Sequence, residues 1–68
     1  MRQVLVYPGE DGMFVAECPS LPGCISQGAS CEEAITNMRE AIATHIAALE
    51  ADRLPVPPEN FSATLIAV

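Results

Sequence analysis

Tryptophan is absent from this 68-residue sequence, and the aromatic residues are one tyrosine and two phenylalanines. A core must therefore be assembled from Val, Ile, Leu, Ala and Met. Positive charge is as scarce: three basic residues stand against nine carboxylates, a formal charge of −6. That deficit excludes ordinary nucleic-acid binding, which needs clustered Lys and Arg to neutralise phosphates. It leaves two readings open, a basic protein partner or a charge that keeps a small protein soluble. No apolar run reaches membrane-spanning length, and the N-terminus has no long apolar stretch of the kind a signal peptide carries. There is a single histidine, and the three cysteines (Cys18, Cys24, Cys31) contain no CxxC pair. A zinc site or a secreted disulfide framework needs even counts or paired spacing, so reduced thiols in the cytoplasm are expected, with no metal and no cofactor.

What is present reads as one domain over 1–68. A chain this short buries a limited share of its surface, so its margin of stability is thin and oligomerisation is a common aid. Runs 3–7 and 13–18 are rich in Val, Leu and aromatics, and Pro8-Gly9-Glu10-Asp11-Gly12 between them holds two glycines suited to positive φ. That pattern predicts an antiparallel hairpin. Pro19-Ser20-Leu21-Pro22-Gly23 turns the chain, and 24–28 forms a third short strand. Ser30-Cys31-Glu32-Glu33 has the form of a capping box, with acidic residues at the positive end of a helix dipole. From 31 to about 51, Ala34, Ile35, Met38, Ala41, Ile42, Ile46 and Leu49 recur at three and four, which is one helical stripe. The prolines at 55, 57 and 58 forbid continuation, and 62–68 reads as a final strand. The predicted fold class is α+β in the order βββαβ: a three-strand antiparallel meander, a fourth strand, and one helix on one face.

One helix covers one face of a sheet, yet these strands are apolar on both. Val4 and Val6 oppose Leu5 and Tyr7; Phe14, Ala16 and Cys18 oppose Met13 and Val15. A few hundred Å² of such surface in water marks an interaction site. Leu5, Tyr7, Met13 and Val15 are therefore the candidate oligomer interface. The competing reading is that a monomer tolerates a patch softened by small residues.

No catalytic constellation is legible. A lone helical His45 is ordinarily a packing residue. Cys31 lies at a helix N-terminus, where thiolates are stabilised, but a cysteine is far more often a small buried hydrophobe, which is the reading expected here. The carboxylates are dispersed over a hairpin tip (Glu10, Asp11), a strand (Glu17) and a helix cap (Glu32, Glu33), whereas metal-assisted phosphoryl chemistry needs them convergent. The scattered glycines form no phosphate loop. An enzyme is not expected.

Read together, Asp11-Gly12-Met13-Phe14-Val15-Ala16-Glu17-Cys18-Pro19-Ser20-Leu21-Pro22-Gly23-Cys24 and Gln27-Gly28-Ala29-Ser30-Cys31-Glu32-Glu33-Ala34 resemble the HicB antitoxin family. The matching positions are Gly12, Phe14, Pro19, Leu21, Pro22, Gly23, Gly28, Ser30, Glu33 and Ala34, followed by an amphipathic helix and a proline-rich exit. The resemblance implies a partial ribonuclease-H-like arrangement without that fold's catalytic carboxylates. It also implies a partner, HicA, a small basic mRNA-cleaving toxin. Many members carry a C-terminal DNA-binding module; this sequence ends at Val68 and is expected to be a short stand-alone member. Glu10, Asp11 and Glu17 are the candidate contacts to a basic partner. A stand-alone oligomeric domain with no toxin, and a small nuclease, are the alternatives.

Overall fold

The computed structural model describes residues 1–60 and 64–68. Three antiparallel strands, β1 (Leu5–Pro8), β2 (Phe14–Glu17) and β3 (Ile25–Gly28), form a sheet in the order β1-β2-β3, followed by one helix, α1 (Cys31–Ala51). The class is α+β. Register places Val6, Ala16 and Ser26 in one row and Pro8, Phe14 and Gly28 in another, both on the side that α1 covers.

Turn chemistry sets each junction. At the β1–β2 hairpin, Gly9 N–H donates to the Met13 carbonyl and Met13 N–H to the Glu10 carbonyl. The left-handed positions there are Asp11 and Gly12 (φ 56° and 74°). Gly9 was expected to share that role, but it serves close packing instead, since a Cβ on it would fall 2.8 Å from Val15 Cγ2. Met13 closes the hairpin mouth and lies outside β2, which is shorter than the sequence pattern suggests.

The 18–24 loop is tied at its base by Cys18 N–H donating to the Cys24 carbonyl. Leu21 plugs this loop into the core with no solvent exposure, and Gly23 takes the positive φ (83°) that returns the chain. This is the physical content of the Pro-x-Leu-Pro-Gly run. Burying Leu21 and Met38 completely contributes about 1.5–3 kcal/mol each relative to exposure.

The join from β3 to α1 is tight. A Cβ on Gly28 would lie 2.5 Å from the Ala34 backbone nitrogen, so strand end and first helical turn touch through their main chains. Ala34, fully buried, keeps that approach open, and Ser26 Oγ donates to its carbonyl at 3.2 Å. Ser30 caps the helix, its side chain accepting from Glu33 N–H at 3.1 Å. Glu33 reaches back to the Ala29 N–H at 3.3 Å, one residue earlier than in the simplest capping box. At the other end, Arg53 N–H donates to Glu50 and Leu54 N–H to Leu49, a Schellman termination with Arg53 at the left-handed position (φ 58°).

The core is Ala16, Cys18, Leu21, Cys24, Ala34 and Met38, with Val4, Val6, Phe14, Ala41, Ile42 and Ile46 packed around it. α1 lies mainly on β3 and β2 and touches β1 least. The chain then returns to the N-terminus. Arg2 donates to Ser20 Oγ at 2.9 Å and to the Pro57 carbonyl, and Gln3 N–H donates to Glu59 Oε2 at 2.8 Å. Ser62 and Ala63 of the expected fourth strand lie outside the described residues, and 64–68 forms no strand, with Leu65, Ile66 and Val68 in solvent. Among the described residues β1 therefore keeps a free edge.

Candidate partner-binding surface

Strand alternation sends two rows of side chains away from the helix. One is Leu5, Glu17 and Ile25; the other is Tyr7, Val15 and Gln27. Leu5, Tyr7 and Ile25 keep 45, 40 and 58% of their surface in water, while Val15 and Glu17 are half-buried by their neighbours. The Tyr7 hydroxyl donates to Glu17 Oε2 across the β1–β2 pair. That hydrogen bond raises the Tyr7 phenol above its ordinary pKa, helped by lost hydration and by the carboxylate's charge.

The structure thus regroups the residues singled out from sequence. Leu5, Tyr7 and Val15 share the open face, and Met13 lies just before β2 at the hairpin mouth. Glu17 lies among the apolar residues of that face, not with Glu10 and Asp11, which occupy the exposed hairpin tip. Ile25 belongs to the same face and was missed. Its signal was the alternation of Ile25 with Ser26, too short a run to orient without the register.

On the helix side, Cys18 and Cys24 are buried and Cys31 is exposed, all as free thiols. Desolvation, then the neighbouring Cys18, pushes the Cys24 thiol above its ordinary pKa, which suits a packing role. A groove of about 630 Å³ runs between β1 and α1, lined by Met1, Val4, Val6, Met38 and Ile42 among others. His45 borders a shallower hollow with Asn37, Glu40 and Thr44 on the opposite flank of the helix. Among the described residues no three His, Cys, Asp or Glu side chains gather as metal ligands would, and no helix is long and apolar enough to cross a membrane.

The fold is a small sheet with one face closed by a helix and the other open, apolar and acid-bearing. The model of the HicB-like antitoxins of bacterial toxin–antitoxin systems matches residues 3–66. The chain belongs to that family. Relatives carry the name UPF0150 protein: one from Thermoplasma acidophilum is 39% identical over 84% of this chain and 83% of its own length. One from Synechocystis is 49% identical over 84% of this chain and 72% of its own, and one from Helicobacter pylori 53% identical over 74% and 68%. No solved structure matches the chain.

Proposed function

We propose that this protein is the antitoxin of a two-component pair, a non-enzymatic inhibitor that binds a small basic HicA-type mRNA-cleaving toxin and acts as a homo-oligomer. Membership of an antitoxin family supports a toxin partner in general, and the nine-to-three excess of carboxylates over basic residues supports a basic one. The observation that carries the reading is the open face around Leu5, Tyr7, Val15 and Ile25, an apolar surface that another chain is suited to cover. Glu10, Asp11 and Glu17 are the proposed contacts to basic side chains.

The same reading includes a fourth strand. Arg2 and Gln3 already hold Pro57 and Glu59 beside the start of β1, and the apolar groove between β1 and α1 lies next to the strand's free edge. Residues 64–68 added along that edge would complete the partial ribonuclease-H-like arrangement.

The test is co-expression with any small basic protein encoded beside this one. An antitoxin should co-purify with it at fixed stoichiometry and relieve the growth arrest it causes. If no adjacent basic protein binds or arrests growth, the stand-alone oligomeric domain becomes the better reading.

A further inference from the structure

The open face of the sheet carries its single charge close to its middle. β2 is the central strand, and its two outward side chains there are Val15 and Glu17. Two residues along a strand span roughly 6.6 Å, so Glu17 is displaced from the centre of the face by about 3 Å. The basic residues lie elsewhere: Arg2 is held in the clasp with Ser20 and Pro57, Arg39 is exposed on α1, and Arg53 follows the helix end. The hydrogen-bond partner of the Glu17 carboxylate is the Tyr7 hydroxyl, a neutral donor that leaves the charge uncompensated.

We infer that this face seats a partner segment that sets an Arg or Lys on Glu17 inside an apolar frame, in preference to a second copy of this chain, so that the contacts of the proposed homo-oligomer fall on another surface. The inference rests on the basic partner proposed above and assigns it a surface.

Charge separates the occupants. A second copy stacked about a twofold axis through the middle of the face would bring two Glu17 carboxylates within roughly 7 Å of each other. Neither copy supplies a cation there, and like charges without partners in a drying interface oppose association. A cation landing on Glu17 reverses the sign of the central interaction, and the net charge of −6 draws a basic protein toward it from a distance. Glu17 therefore acts as the residue that selects who covers the face.

The chain itself can supply the probe. A Glu17→Arg copy keeps the apolar frame of Leu5, Tyr7, Val15 and Ile25 and puts a cation at its centre. Mixed with the unchanged protein, it should form a one-to-one pair in sedimentation and native mass measurements, at least roughly tenfold tighter than either self-pair and weakened by salt. A Glu10→Arg copy makes the same charge change at the hairpin tip and should not pair. Glu17→Lys repeats the experiment should the arginine variant lose its native circular dichroism. The inference is overturned if the unchanged protein pairs with itself as tightly as with the variant, if no mixed pair forms, or if the Glu10→Arg copy pairs equally well. No arm contains a toxin, so failure here and failure to find a toxin remain separate results.

Discussion

On the helix side of the sheet Ala16 of β2 has no exposure and Cys18, just beyond that strand, almost none, while on the other side Leu5 and Tyr7 of β1 and Ile25 of β3 keep 40 to 58% of theirs. Apart from Phe14, which packs against the core, the larger apolar side chains of the strands thus stand on the open side. Small residues dominate the covered side because α1 must come close: Gly28 touches the main chain at Ala34, and any larger side chain at either position would lift the helix. The comparison teaches that hydrophobicity alone does not tell core from interface in a sheet this thin. What tells them apart is which face the neighbouring element can reach.

Substitutions on the two sides should separate in size. Leu21→Ala empties a fully enclosed site and should cost about 3 kcal/mol in denaturant unfolding. A loss below about 1 kcal/mol would mean that the 18–24 loop is not the plug described. On the open side, Ile25→Thr should change the stability of the isolated chain by no more than about 0.5 kcal/mol while weakening partner capture. A loss as large as that of Leu21→Ala would erase the distinction between the faces. The smallest effect is spectroscopic. The Tyr7 phenol should ionise above its ordinary pKa, and Glu17→Gln should bring it back down in a phenolate absorbance titration. Because the folded state favours the protonated phenol, the stability tied to this pair is present at neutral pH and lost as pH rises through the raised pKa.

Much of this was legible in the sequence, for local reasons. The helix bounds follow from the Ser30 cap, the stripe at three and four, and the prolines beyond Leu54. The hairpin and the 18–24 loop follow from turn residues whose φ demands are intrinsic. What escaped was non-local. The clasp of Arg2 with Ser20, Pro57 and Glu59 joins residues far apart with no periodic pattern between them. Alternation alone sets Glu17 on the face of Val15, but its apolar neighbours across the sheet, Leu5 and Ile25, emerge only with the register. The apolar alternation of 65–68 signals a strand only when another strand lies beside it.

The clasp also orders events in time. Arg2 and the Pro57 carbonyl are separated by 55 positions, nearly the whole chain, so closing that ring costs more chain entropy than any hairpin or helical turn. Glu59, its carboxyl held below the ordinary range by the Ser20 hydroxyl and then by the Gln3 N–H, sits where the ring shuts. The meander and helix should therefore assemble first and this ring close last, and on unfolding it should part first. The amide of Gln3 then exchanges its hydrogen sooner than those of the central strand, and acid, by protonating Glu59, loosens the seam before it reaches the core.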